Sequence, residues 1–164
     1  MGTEGKDMVN LLIEDHREIE AIFGRLESGE GTPEQRRQLA NLMTAELIRH
    51  SVAEEEHLYP TARAVLDDGN KIADHEIEEH ANAERLLKQL EGVAATDPEF
   101  DSLLDSVFSD VRHHIEEEEG DLFRRLRQRC SRDELLDLGA KLTAAKTMAP
   151  TRPHPAAPDR PRQV

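Results

Sequence analysis

Aromatic side chains are scarce in this chain of 164 residues, which has no tryptophan, one tyrosine and four phenylalanines. Its core must therefore be aliphatic, built from Leu, Ile, Val and Ala. Cysteine occurs once, at Cys130, which excludes an internal disulfide and points to a reducing compartment. No apolar run approaches the roughly 18 residues that span a bilayer. The N-terminal MGTEGKDMVN carries neither the basic nor the apolar segment of a signal peptide. Positive charge is also short, with 21 Lys and Arg against 35 Asp and Glu and a net charge of −14. So acidic a chain is a poor partner for nucleic acid or an anionic membrane. The expectation is one cytoplasmic domain, and no feature specifies an oligomeric state.

What the chain has in abundance is helical periodicity. Apolar residues recur at helical spacing nearly throughout, with no strand-like alternation. Five helices are expected. The first runs from about Asp7 to Glu27. Thr32, Pro33 and Gln35 then form a capping box with proline in the first turn, opening a second helix that passes His50 and bends or ends near Pro60. LDDGN breaks the chain before a third helix from about Lys71 to Glu91. Asp97 and Pro98 start a fourth, which continues to about Arg129. Ser131 to Glu134 is a second capping box, for a short fifth helix ending near Lys146. Short loops make neighbours antiparallel, so the fold class is all-α, an up-down-up-down four-helix bundle with a short fifth C-terminal helix. The bundle is expected over residues 1–146. Residues 147–164 hold five of the eight prolines and read as a disordered tail.

An internal repeat carries the chemistry. HSVAEEEHLYP, from His50 to Pro60, lies over HIEEEEGDLFR, from His114 to Arg124, at an offset of 64 residues. The same offset lays IEDHREIEAIFGRLE, starting at Ile13, over IEEHANAERLLKQLE, starting at Ile77. It thereby pairs His16 with His80, His50 with His114, and Glu54 with Glu118. His50 and Glu54 are four residues apart, so they share one helix face, as do His114 and Glu118. A bundle can aim all six side chains at one interior spot. A lone histidine or a glutamate run is ordinarily a surface feature, but one offset that matches six metal-ligand residue types is not. Burying two carboxylates without positive charge is costly, and metal ions remove that cost.

Counting suggests which metal. Four imidazoles and two carboxylates suit two ions, each holding two imidazoles and one oxygen from each bridging carboxylate. Imidazole with carboxylate and open positions suits iron and oxygen chemistry, with a bridging oxo or hydroxo group as a further ligand. Glu76 lies one turn before His80 and has Leu12 as its repeat partner, so it is expected as an extra ligand to one iron, with His75 as its rival. Other candidates carry less. His113 and Glu117 repeat the spacing but have only Arg49 and Ala53 opposite them. Glu54 and His57 form an ExxH pair with no second copy. Tyr59 and Phe123 read as core residues, His154 lies in the tail, and Cys130 has no neighbouring arrangement of basic residues and histidine to make it a nucleophile.

As a set, His16, H50-x3-E54, His80 and H114-x3-E118, with the EEHLYP and EEGDLF flanks, resemble the hemerythrin-like, HHE cation-binding family over roughly residues 8–130. The resemblance implies a four-helix bundle around a non-heme, carboxylate-bridged di-iron centre that binds O2 or related small molecules. It makes His16, His50, His80 and His114 terminal ligands and Glu54 and Glu118 the bridges. Two positions depart from the oxygen carriers of the family. Glu76 stands where they have histidine, and Glu118 follows its histidine by four residues where they have an aspartate at five. Added negative charge favours ferric iron. The expectation is thus rapid autoxidation and work with NO or peroxide, in stress response or sensing, with a Glu76→His variant holding an oxy form longer. Catalase-like disproportionation of peroxide and iron storage are the alternatives.

Overall fold

The computed structural model describes residues 5–150. The tail expected beyond Lys146 lies outside them from Thr151 onward. Helix α1 spans Met8–Glu27, with Asp7 as its N-cap accepting from the Asn10 amide. Gly29 and Gly31, both at positive φ, turn the chain back. The Thr32 capping box then opens α2, Pro33–Ala53, with Gln35 returning its side chain to the Thr32 amide. A π-helical turn, Glu54–Leu58, joins α2 to α3, Tyr59–Val65, in one continuous rod. Helix α4, Gly69–Glu91, begins two residues earlier than its sequence suggests. Asp97 caps α5, Pro98–Glu117. A second π-helical turn, Glu118–Leu122, leads into α6, Phe123–Arg129. The Ser131–Glu134 capping box opens α7, Arg132–Met148. The architecture is therefore the expected all-α bundle, with two of its four long rods interrupted by a π turn.

Two aliphatic clusters fill the bundle. One gathers Ile19, Phe23, Leu47, Leu87, Leu104, Val111 and Ile115. The other gathers Leu12, Ala53, Leu58, Tyr59, Ala73, Phe123 and Leu135. Between them lies a buried polar layer containing His16, His50, Glu54, Glu76, His80, His114 and Glu118. On α1, for example, His16 stands between Leu12 of one cluster and Ile19 of the other. The apolar residues above and below exclude water from that layer, so its charges interact far more strongly than they would on the surface.

Helix α7 packs on α1 and α2. Its approach is close at Gly139, where a Cβ would stand 2.2 Å from the Lys6 carbonyl oxygen. The docked α7 brings Lys146 to Asp15, 2.5 Å away on α1. Among the described residues no helix is long and apolar enough to cross a membrane.

Candidate metal centre

The π turns set the geometry. In an α-helix a residue five places on points about 140° away. A π turn closes i to i+5, and here the Tyr59 amide donates to the Glu54 carbonyl and the Phe123 amide to the Glu118 carbonyl. His50, Glu54 and Tyr59 thus all face inward, as do His114, Glu118 and Phe123. Such single turns recur at functional sites because they re-aim side chains without breaking the helix. Each half of the repeat has one, at the same place.

The six repeat-matched residues converge, and the two glutamates span two pockets. In the first, Glu118 Oε1 lies 3.2 Å from His16 Nε2, and Glu54 Oε2 lies 3.0 Å from His50 Nε2. In the second, Glu54 Oε1 lies 3.0 Å from His80 Nε2, and Glu118 Oε2 lies 3.1 Å from His114 Nε2. Each carboxylate therefore turns one oxygen to each histidine pair. Glu54 and Glu118 are fully buried. Donor atoms about 3 Å apart are spaced as neighbouring ligands around one ion, given metal–ligand bonds near 2.1 Å.

The donor set fits a cation on a further observation. His16 Nε2, His50 Nε2, Glu54 Oε2 and Glu118 Oε1 are all buried and make no hydrogen bond. Buried polar atoms are normally paired. Four buried atoms that lack hydrogen bonds and face one another in the first pocket are what a metal ion would satisfy. The second pocket also has a proton donor, because the Tyr59 hydroxyl lies 3.0 Å from Glu54 Oε1 and 2.7 Å from Glu118 Oε2. It is 3.1 Å from His80 Nε2 and 3.4 Å from His114 Nε2. That spacing makes its oxygen a fifth possible donor there.

Behind the imidazoles stand four carboxylates, one on each Nδ1. Glu119 Oε2 is 2.6 Å from His16 Nδ1, and Asp15 Oδ2 is 2.9 Å from His50 Nδ1. Glu55 Oε2 is 2.8 Å from His80 Nδ1, and Glu76 Oε2 touches His114 Nδ1. An acceptor there fixes the proton on Nδ1 and frees Nε2 to face a metal. The four contacts form a closed ring. Asp15 of α1 holds α2, Glu55 holds α4, Glu76 of α4 holds α5, and Glu119 holds α1. Glu55 and Glu119 obey the 64-residue repeat. Asp15 has Glu79 as its repeat partner, yet Glu76, one turn earlier, reaches His114.

Burial and the surrounding charges pull these groups in opposite directions. Burial disfavours charge on His50, but Glu54 and Asp15 more than offset it and hold its pKa at about 10. His114 stands well above the usual histidine range, with Glu118 foremost in outweighing burial. Burial raises Glu54, but His50, His114 and His80 outweigh it and hold that carboxyl well below the ordinary value. Burial and the neighbouring Glu118, Glu54 and Glu76 keep Tyr59 a neutral phenol.

The remaining candidates fall elsewhere. Glu76 is buried, and one of its oxygens groups with His114 and Glu118 closely enough to share an ion. His75 is half exposed and pairs with Glu79 at 2.8 Å and Glu117 at 3.1 Å. His113 is exposed beside Glu117. His57 faces away towards Glu56, 3.8 Å off. Cys130 is a buried thiol that burial pushes up, which suits packing and not attack. Sequence reasoning left Tyr59 and the three carboxylates Asp15, Glu55 and Glu119 out of the site. The matched five-residue step from Glu54 to Tyr59 and from Glu118 to Phe123 was the available signal for the tyrosine.

Comparison with known proteins identifies the fold and the family. The profile of the hemerythrin HHE cation binding domain matches residues 7–126. An uncharacterised hemerythrin-like protein of Schizosaccharomyces pombe is 28% identical over 151 residues, covering 92% of this chain and 74% of its own. A DNA nickase of Nostoc is 26% identical over 150 residues, and the match spans 88% of this chain but 42% of that protein. The crystal structure of a hemerythrin HHE cation binding domain-containing protein from Mycobacterium kansasii shares the fold, with a TM-score of 0.75 at 22% identity, covering 87% of this chain and 86% of that one. The chain belongs to the hemerythrin HHE cation-binding family.

Proposed function

We propose that this protein holds a carboxylate-bridged pair of non-heme irons and uses them to bind O2, NO or peroxide, in sensing or in the response to oxidative or nitrosative stress. The observation that carries the reading is the split of Glu54 and Glu118, each with one oxygen for either histidine pair. His16 and His50 serve one iron and His80 and His114 the other, with an oxo or hydroxo group as the remaining bridge. Tyr59 supplies a fifth donor on the His80/His114 side. Glu76 serves as the carboxylate behind His114, matching Asp15, Glu55 and Glu119 behind the other three imidazoles.

Ligand size follows from the space above the centre. A cavity of about 40 Å³ touches all four histidines and is walled by Ile19, Leu47, Ile48, Leu87, Val111 and Ile115. One water needs roughly 10–15 Å³ of such space. There is room for a diatomic or peroxide and none for a metabolite. Aliphatic walls favour apolar O2 and NO. Bound iron supplies the redox chemistry, and the chain's part is to hold it, exclude water and admit only small ligands.

A second reading, disproportionation of peroxide, gains support from Glu79. Its side chain also lines the cavity, where a carboxyl can pass a proton to or from a ligand. Nicking of DNA does not transfer from the Nostoc relative, because this chain spans less than half of it and carries a net charge of −14. The deciding experiment adds NO, O2 and peroxide separately to the iron-loaded protein. A stoichiometric, stable spectral change with NO or O2 supports binding or sensing. Sustained O2 release from peroxide supports the enzyme. No response to any of the three overturns both.

A further inference from the structure

We infer that the two metal pockets are electrostatically unequal, and that when a one-electron reductant half-reduces the centre, the electron resides on the iron held by His16 and His50. The inference rests on the paired-iron reading above. It turns on the cations behind the ligand histidines, Arg17 and Lys146, which neither the sequence repeat nor the family assignment specifies.

Each imidazole turns its Nδ1 to a carboxylate, but the carboxylates are not equivalent. Behind His50, Asp15 also accepts from Lys146 at 2.5 Å. Behind His16, Glu119 also accepts from Arg17. Both first-pocket carboxylates thus carry a cation on the oxygen that the histidine leaves. Behind His80 and His114 stand Glu55 and Glu76, and among the described residues neither pairs with a lysine or arginine. Glu76 is also 96% buried, so water screens it little.

A carboxylate that shares its charge with a cation draws less on the histidine proton. An uncompensated one draws more and gives the imidazole imidazolate character, making it a stronger donor to ferric iron. The uncompensated charge itself also favours the higher oxidation state. Tyr59 would work in the same direction once iron had displaced its proton, since a phenolate would then stand in the second pocket, while Phe123 occupies the matching position beside His16, ring to ring at 5.8 Å. All three differences make the His80/His114 iron the harder to reduce. One electron from the reductant would then convert to Fe(II) the Fe(III) that His16 and His50 would hold. Lys146 and Arg17 are therefore positioning residues whose charge sets this order, and α7 takes part in the centre through Lys146.

The test is a potentiometric titration of the iron-loaded full chain at fixed pH, with dithionite as reductant. Wild type is expected to reduce in two one-electron steps. Lys146→Gln and Arg17→Gln should each lower the upper step, by a roughly tenfold change in its equilibrium constant or about 59 mV, and leave the lower step nearly unmoved. Lys146→Arg should restore the wild-type value. Glu55→Gln and Glu76→Gln should raise the lower step instead. Having two variants per pocket keeps the assignment readable if one sheds iron. Both sets moving the same step, no step moving, or wild type reducing in one two-electron step overturns the inference while leaving two irons in place. A chain that holds fewer than two irons overturns the paired-iron reading itself.

Discussion

The Tyr59 hydroxyl donates to Glu118 Oε2 at 2.7 Å, from the side of the centre opposite the aliphatic cavity. It also reaches Glu54, so one phenol ties together both carboxylates that face the two histidine pairs. Tyr59→Phe keeps the packing and removes these contacts. With iron bound, wild type is expected to show a visible phenolate-to-iron charge-transfer band that the variant lacks. Iron loss to a competing chelator should be faster by roughly tenfold, the value of about one hydrogen bond to a charged group. Unchanged spectra and release would make Tyr59 a packing residue only.

Acid should strip the metal, while the metal-free protein should weaken in alkali. Iron must displace protons from His50, His80 and His114, all of which sit above the ordinary histidine value. Iron affinity therefore rises with pH. For the metal-free fold the sign reverses. A histidine raised to about 10, as His50 is, contributes stability fully below its unfolded value near 6.5 and loses it as pH climbs through 10. Glu54 and Glu118, both lowered, contribute above about 4.5 and lose that contribution in acid. Denaturation of the chelated protein across pH should show greatest stability between about 4.5 and 6.5. A maximum above pH 8 would contradict the paired histidine and glutamate charges.

Filling the cavity should block ligands without disturbing the iron. Ala83 lines it on α4, and Ala83→Leu adds three carbons to that wall. NO association with the iron-loaded protein, followed by stopped-flow absorbance, is expected to slow at least tenfold at unchanged iron content. Equal rates would place the ligand route elsewhere.

Docking of α7 can be loosened independently of the ligands. Gly139→Ala puts a methyl group 2.2 Å from the Lys6 carbonyl oxygen, so backbone must shift. The cost of such overpacking is about 1–3 kcal/mol. Thermal melting should fall accordingly, and the Lys146 contact to Asp15 should weaken with it. An unchanged melting temperature would mean that α7 sits less tightly than Gly139 indicates.

Much of this architecture is legible in the residues. Thr32, Asp97 and Ser131 mark helix starts because a side-chain oxygen must satisfy an exposed amide there, and all three do so. The 64-residue repeat brings His16, His50, Glu54, His80, His114 and Glu118 together because matching helices bury matching faces. The π turns are not legible from a 3.6-residue period, since they shift the phase of that period by one residue. Tyr59 therefore reads as ordinary core. Spacing places Glu76 on the face of His80, but it does not show that one of its oxygens meets His114 Nδ1. Glu55 and Glu119 hide inside glutamate runs that otherwise suggest a solvated surface, although Glu54, Glu55, Glu118 and Glu119 all reach the buried histidines.

The most direct measurement is iron content per chain together with a Mössbauer spectrum of the purified, iron-loaded protein and of its Glu54→Ala and Glu118→Ala variants. Two ferric ions per chain, spin-coupled in wild type and uncoupled or lost in both variants, is the expected result. A single ion per chain, or two that show no coupling, would contradict a pair of irons joined by Glu54 and Glu118.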